Sequence, residues 1–455
     1  MSATDVDQIP LLEAGTLSED NPFDPRRAVE HVEPSWLASY RFFLLGSWLN
    51  LLLVCIPLSF ISHLLGWNAG LRFVFSFFSL IPLAGLLGTA TDQMSTKLGQ
   101  TLAGLINASF GNAVEAIIGI AALLQGRLRI VQTSMLGSVL SNLLLVFGSS
   151  LIAGGLKFSE VKFDPTIAQT ERQLMTLTCI ALVLPAAYHY KAIGEIADSD
   201  GVDTAAFKSV NGVSLLSRGT AILLLAVYTC YLLFQLKTHA FLYDVDTPQE
   251  KRPHPEALLP SEEDEKPEMN VPAAASALLL VTGVTSFCAS YLVASIEETA
   301  ERYGIPEQFI GTVLLPIVSN AADHATAVWM ARKNKMEITI GICVGSSIQI
   351  LAFVVPFLVL VGWATRHDLS LNFGGFETIT LFVAVAFVQY LIQDGKSNYM
   401  EGVMLISLYF MIALSCTHIH CFARCGSANI LHFSLGVLKA SAKDIISILT
   451  TFRAL

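Results

Sequence analysis

Two acidic residues, Glu115 and Asp323, lie inside long apolar runs of this sequence, and each follows an asparagine by three residues. An ionised acid near the centre of a lipid bilayer costs about 2.5–3.5 kcal/mol on insertion scales, which favours a function over simple packing. A spacing of three residues places two side chains on the same face of a helix. We therefore expect Asn112 with Glu115, and Asn320 with Asp323, to face inward together.

The two acidic segments are copies of one another at a constant offset. QTLAGLINASFGNAVEA begins at residue 100 and QFIGTVLLPIVSNAADH begins at residue 308, so Glu115 and Asp323 are equivalent and lie 208 residues apart. A second pair of segments, GSVLSNLLLVFG from residue 137 and GSSIQILAFVVP from residue 345, has the same offset. Two separate motifs kept at one spacing indicate an internal duplication.

The polar residues of these motifs offer hard oxygen ligands. By helical spacing, Ser138 and Ser141 share a face, as do Ser346 and Gln349. Carboxylate, amide and hydroxyl oxygens suit Ca²⁺, Mn²⁺ or Mg²⁺ better than soft metals. Two carboxylates neutralise one divalent cation, and without that cation two like charges in a low-dielectric site favour protons in its place. The set could therefore exchange a divalent cation for protons, although any single serine or asparagine could instead serve only helix packing.

His324 directly follows Asp323 and has two interpretations. It either tunes that acid and relays protons, or it is a packed histidine. Gly111, Gly137 and Gly345 lie beside the polar residues. Glycine permits close approach of membrane helices, and ordinary helix packing explains these glycines equally well.

Holding these residues inside a membrane requires a helical bundle. The 455-residue chain is 53% hydrophobic and 14% charged, whereas a soluble domain carries about 25% charged residues. Its apolar runs are long and unbroken rather than alternating, which predicts helices. We expect an all-α polytopic membrane protein with eleven transmembrane helices, at residues 42–63, 71–90, 101–124, 130–155, 173–190, 214–236, 272–296, 307–330, 338–362, 374–393 and 399–417.

The loop charges predict the orientation of this bundle. Lysine and arginine are more frequent in the loops on the side of the N-terminus, which predicts a cytosolic N-terminus. Five crossings separate the two acidic segments, so the copies run in opposite directions, an arrangement typical of secondary transporters. The predicted regions are a cytosolic polar tail (1–41), an additional N-terminal helix (42–63), a first five-helix repeat (71–236), an acidic cytosolic linker (237–271), a second repeat (272–417) and a C-terminal tail (418–455).

The net charge of −10 is concentrated in the N-terminal tail and the linker, which argues against a nucleic-acid partner. The linker, with PSEEDEKPE at 260–268, is either a solvated connection or a segment that concentrates cations at the cytosolic mouth. Most cysteines stand singly in apolar runs, so no disulfide framework is predicted. The expected partners are membrane lipid and a divalent cation substrate, with no cofactor. The oligomeric state is left open.

Three of the motifs carry a family resemblance. FGNAVE at 110–115, FIGTVLLPIVSNAADHATAV at 309–328 and GSSIQILAFVVP at 345–356 resemble the signature repeats of the calcium/proton exchanger family, within the cation/Ca²⁺ exchanger superfamily, and are similar to fungal and plant vacuolar members. The resemblance implies an eleven-helix antiporter that uses the proton gradient of an acidic organelle, most often the vacuole, to load Ca²⁺ and sometimes Mn²⁺. It also implies ion binding by Glu115 and Asp323, with Ser138, Ser141, Ser346 and Gln349 as polar partners.

The chain departs from this family pattern at identifiable places. Ser319 stands where the family carries glycine, and Asp323, one methylene shorter, stands where it carries glutamate. The tail after about residue 415 does not resemble the short ending of the family. Two alternatives to a Ca²⁺/H⁺ antiporter stay open. One is an exchanger coupled to Na⁺ or K⁺, and the other, which these departures motivate, is a non-transporting membrane scaffold or sensor descended from an exchanger. An intramembrane hydrolase is disfavoured, because the sequence has no HExxH motif and no evident nucleophile–base pair.

Overall fold

The chain is largely helical in a computed structural model, which describes residues 34–95, 98–158, 160–163, 165–197, 202–239 and 268–424. The helices of the first half are α1 (Trp36–Leu45), α2 (Trp48–Leu64), α3 (Ala69–Ser95), α4 (Gly99–Phe110), α5 (Ala113–Leu124), α6 (Leu128–Gly155), α7 (Pro165–Ala197) and α8 (Val202–Leu233). Those of the second half are α9 (Val271–Tyr303), α10 (Glu307–Ser319), α11 (Ala321–Arg332), α12 (Met336–Thr365), α13 (Gly375–Leu391) and α14 (Tyr399–Arg424). Two short antiparallel strands, β1 (Val161–Lys162) and β2 (Lys396–Ser397), join the loop after α6 to the loop before α14.

The helices are membrane-spanning in length and composition. Among the described residues, six helices are long and apolar enough to cross a membrane, and counting each of two bent pairs as one span raises the number to eight. The predicted all-α polytopic class is therefore confirmed. The predicted count of eleven is not, because helices such as α10 and α13 are apolar but shorter than a full span.

Three predicted spans are wrong as single helices. The span predicted at 42–63 bends by 90° between α1 and α2, and the one at 101–124 bends by 42° between α4 and α5. The third, at 307–330, is interrupted at Asn320, which separates α10 from α11. At Asn112 the backbone leaves helical geometry (φ −117°, ψ 39°), and this is where the direction of the span changes. Asn112 and Asn320 are equivalent residues, so both copies break at the same place.

The region boundaries also differ from the predicted ones. α1 begins at Trp36, inside the predicted polar tail 1–41, and α14 continues to Arg424, beyond the predicted boundary at 417. Residues 240–267 and 425–455 lie outside the described residues. The predictions for most of the acidic linker and of the C-terminal tail therefore stay predictions.

Helices α6 and α12 form the centre of the bundle. In their most apolar stretches, 83% of the residues of α6 and 61% of those of α12 are buried, against 17% in α8. Both central helices contain π-helical turns, at Ser141–Val146 in α6 and at Gly341–Gly345 and Ile350–Val354 in α12. Such turns release backbone groups from the regular hydrogen-bond ladder and often occur at functional sites. The broken pairs α4–α5 and α10–α11 pack beside these two helices.

Candidate functional site

Glu115 and Asp323 each lie in the first turn of a helix that begins after a break. Glu115 belongs to α5 and is only 4% exposed, whereas Asp323 belongs to α11 and is partly exposed. The two acids lie within electrostatic range of each other, and Asp92 of α3 lies within range of Asp323. A helix N-terminus carries a partial positive charge, which favours an acid in the first turn. We call Glu115 and Asp323 the carboxylate pair.

The two asparagines reach across to the opposite copy of the repeat. Asn112 donates from Nδ2 to the backbone oxygen of Ser346 (3.4 Å) and accepts at Oδ1 from the Ser346 hydroxyl (2.7 Å). In the other direction, Asn320 donates from Nδ2 to the backbone oxygen of Ser138 (3.1 Å). Neither asparagine side chain caps its own helix. Each broken pair of helices is therefore held against the central helix of the other half.

Ser319 modifies this symmetry in the second copy. Its hydroxyl lies between Ser138 Oγ and Asn320 Oδ1, at 3.3 Å from each. It also lies near the Glu115 carboxylate. The equivalent residue of the first copy is Gly111, which has no side chain. The extra hydroxyl therefore connects Ser138 of one copy to the asparagine of the other.

The remaining predicted site residues lie around this core. Gln349 donates from Nε2 to the backbone oxygen of Ala108 (2.7 Å), and Ser141 is buried at the start of the π turn of α6. His324 Nε2 is 2.8 Å from the hydroxyl of Ser149 on α6. The structure thus shows a hydrogen-bond partner for His324 on the central helix.

A cavity of about 410 Å³ reaches Asp323 from one side. It is lined by Asp323 and by Asn112, Ser346 and Gln349, whereas Glu115 does not line it. Its wall also includes Gly104, Gln235, Leu236 and Ile338, which belong to or directly follow α4, α8 and α12. The orientation predicted from the loop charges would place this side of the bundle in the cytosol. We call this space the cytosolic cavity after that prediction.

Four ion pairs between described residues lie on the opposite side of the bundle. Glu297 and Glu298, near the end of α9, pair with Arg127 and with Arg72 (2.6 Å) respectively. The other pairs are Arg129 with Glu377 and Arg218 with Asp368 (2.7 Å). Each pair joins a helix to another helix or to a loop, at the face that the predicted orientation would place away from the cytosol.

Sequence reasoning missed two residues of this site. Glu171 lines the cytosolic cavity and is 5% exposed, but it lies two residues before the span predicted to start at 173. Asn142 donates from Nδ2 to Ser346 Oγ (3.0 Å). The feature of the sequence that could have identified Asn142 as a site residue is its position next to Ser141. Among the described residues, no group of three or more His, Cys, Asp or Glu side chains could hold a metal ion. An ion at this site would need neutral oxygens as well as the carboxylate pair.

The comparisons with known proteins agree with this architecture. The family model for the sodium/calcium exchanger protein matches residues 68–237 and 273–417. The vacuolar calcium ion transporter of Schizosaccharomyces pombe is 41% identical over 372 residues, which cover 82% of this chain and 85% of that one. The Ca²⁺/H⁺ antiporter of Synechocystis is 38% identical over 372 residues, which cover 80% of this chain and 95% of that one. A solved structure of the Ca²⁺/H⁺ antiporter YfkE has a TM-score of 0.64 and 31% identity, covering 83% of this chain and 99% of that one.

The fold and the site define a multi-pass membrane transporter rather than an enzyme. The chain belongs to the sodium/calcium exchanger protein family. The resemblance to calcium/proton exchangers drawn from the motifs is confirmed by these relatives.

Proposed function

We propose that the protein is a secondary antiporter that exchanges Ca²⁺ for protons across an organelle membrane, with the carboxylate pair as its ion-binding centre. One observation carries this proposal most strongly. The two acids lie in equivalent first turns, after equivalent breaks, and reciprocal asparagine bonds hold the two copies together around them. Relatives named as Ca²⁺/H⁺ antiporters and as vacuolar calcium transporters support the substrate and the organelle.

The site explains how ion and protons can compete. Ca²⁺ from the cytosolic cavity would reach Asp323 first and then Glu115, displacing protons from both acids. Two carboxylates balance the charge of one divalent ion, and neutral oxygens of Asn112 and Asn320 can complete a coordination shell of six to eight ligands. When protons replace the ion, the site remains neutral inside the membrane. Both loaded forms therefore avoid the penalty for a bare charge in a low-dielectric region.

Alternating access follows from the two faces of the structure. The cytosolic cavity leaves Asp323 open on one side, while ion pairs join helices at the other. Rocking of one inverted repeat against the other would break those pairs and open the lumenal side. The N-terminus would then lie in the cytosol, and Ca²⁺ would be released where protons are abundant.

Purified protein in proteoliposomes tests this function directly. With an acidic interior and no Na⁺ or K⁺ gradient, ⁴⁵Ca²⁺ uptake is expected, and it should collapse when an ionophore dissipates the pH gradient. Added Mn²⁺ should reduce the uptake if it shares the site. Uptake that follows only a Na⁺ or K⁺ gradient would identify a differently coupled exchanger. Ca²⁺ binding without any flux would identify a non-transporting descendant.

Asp323→Glu tests whether the short side chain limits ion affinity. The added methylene lets the carboxylate reach about 1 Å further toward Glu115, so we expect the KM for Ca²⁺ to fall about three- to tenfold with transport retained. The measurement is ⁴⁵Ca²⁺ uptake against Ca²⁺ concentration, with Mn²⁺ competition. Asp368→Glu is the matched control, because it adds the same methylene to an exposed acid paired with Arg218. An unchanged or higher KM in Asp323→Glu would contradict the expectation.

A further inference from the structure

Glu171 is a buried acid that the proposed exchange centre does not use. It lies on α7, six residues after Pro165, and only 5% of its surface is exposed. Its Oε2 atom is fully buried and has no hydrogen-bond partner. A buried polar atom without a partner is rare in native structures, because leaving it unpaired costs free energy. A hydrogen-bond donor or a cation beside Oε2 would therefore stabilise the Glu171 carboxylate.

The cytosolic cavity is the place from which that partner can come. Glu171 lines the same cavity as Asp323. The described residues that line it include these two acids but no lysine, arginine or histidine. The other polar groups of the wall are amides, hydroxyls and phenols: Asn107, Asn112, Gln235, Ser346, Gln349, Tyr228 and Tyr231. A space walled by negative and neutral oxygen atoms attracts cations and repels anions.

The cavity has room for a hydrated ion. A water molecule takes about 30 Å³ in the liquid, so the volume of about 410 Å³ accommodates about fourteen waters. A divalent cation can therefore keep most of its hydration shell while one carboxylate and nearby amide oxygens contact it. A site with a single acid binds weakly, and weak binding suits passage, since an ion on a pathway must leave as readily as it enters.

We infer that Glu171 forms a staging site for a divalent cation in the cytosolic cavity, from which the ion moves to Asp323 and Glu115. This inference rests on the proposed Ca²⁺/H⁺ exchange. Its physical effect is on ion capture: the negative charge raises the local cation concentration beside the carboxylate pair. Glu171 then affects the Ca²⁺ concentration needed for transport rather than the rate at saturation.

Glu171→Gln removes the charge and keeps the size of the side chain. In the proteoliposome assay we expect its KM for Ca²⁺ to rise about five- to tenfold, with the maximal rate within twofold of the unaltered protein. Glu171→Asp, which keeps the charge, should stay within about twofold in KM. Glu160→Gln is the matched control, because it removes an equal charge from an exposed position outside the cavity wall and should leave KM unchanged. An unchanged KM in Glu171→Gln, or a loss confined to the maximal rate, overturns the inference.

A binding measurement separates this inference from the proposed function. In protein that carries Glu115→Gln and Asp323→Asn, titration with Ca²⁺ in detergent should retain a weak site, and adding Glu171→Gln should abolish it. This result can be obtained even if the protein does not transport, so failure of pH-driven uptake and failure of the staging site are distinguishable. Equal Ca²⁺ binding with and without Glu171→Gln in this background, with both proteins monodisperse by size-exclusion chromatography, overturns the staging site.

Discussion

Glu115→Gln is expected to lower pH-driven Ca²⁺ uptake at least about 100-fold while the protein remains folded. The substitution keeps the shape of the side chain, so the packing around α5 should not change. It removes one of the two charges that balance Ca²⁺, and it also removes a group that can carry a proton. Glu115 is 4% exposed and does not line the cytosolic cavity, so water cannot easily replace the missing ligand.

The measurement is initial ⁴⁵Ca²⁺ uptake into proteoliposomes with an acidic interior, with protein amount and monodispersity matched. Glu301→Gln is the control, because it makes the same change at an exposed position of α9. Robust uptake by Glu115→Gln, at a tenth of the unaltered rate or more, would refute its role. Loss of uptake in both variants would instead indicate a general effect of the substitution on the preparation.

The pairing of the two acids could be predicted because it depends on the sequence repeat. The predicted inverted repeat brings equivalent residues together near its symmetry axis, so the offset between Glu115 and Asp323 was enough to predict that they lie near each other. The partners of Asn112 and Asn320 could not be found in the same way. The rule of three-residue spacing assumes a continuous helix, and both helices break at the asparagines themselves. At these breaks, the side-chain amides of Asn112 and Asn320 bond to residues of the other half of the chain.

Glu171 shows a different limit of sequence reasoning. Hydropathy locates the apolar part of a helix, but α7 begins at Pro165, well before the apolar stretch predicted from residue 173. An acid near the end of a span is usually exposed to water, so its burial can be recognised only when the neighbouring helices are known. The same limit applies to Glu297 and Glu298, whose arginine partners lie on α3 and in the loop before α6.

Ser319 illustrates how a departure from a family pattern can be accommodated. Ser319 adds a side chain where the family pattern carries glycine. In the structure its hydroxyl lies between Ser138 and Asn320, near Glu115. The shorter Asp323 and the additional hydroxyl therefore occur together in the second copy. We expect the two to act together, with the hydroxyl supplying an oxygen near the place that a longer acid would reach.

Gly137→Ala is expected to destabilise the protein and reduce transport, since α6 approaches α10 closely at Gly137. A Cβ atom on Gly137 would clash with the backbone oxygen of Thr312 and would lie 2.7 Å from Cγ of Pro316. Neither backbone nor proline can move aside easily, so the two helices must separate. Overpacking of this kind costs about 1–3 kcal/mol. The separation also strains the bond from Asn320 to the neighbouring Ser138, so uptake should fall at least about tenfold.

The duplication supplies a matched comparison for stability. Gly345 is the equivalent glycine of α12, and a Cβ atom there would meet nothing within 4 Å. Thermal unfolding in detergent should therefore show a lower Tm for Gly137→Ala than for Gly345→Ala. Gly283→Ala on α9, which also has open space around the added carbon, is the control for uptake. Gly137→Ala could instead match Gly345→Ala in Tm and Gly283→Ala in uptake. That result would contradict the prediction, because it would mean that α6 and α10 separate without cost and that their close contact does not hold Ser138 against Asn320.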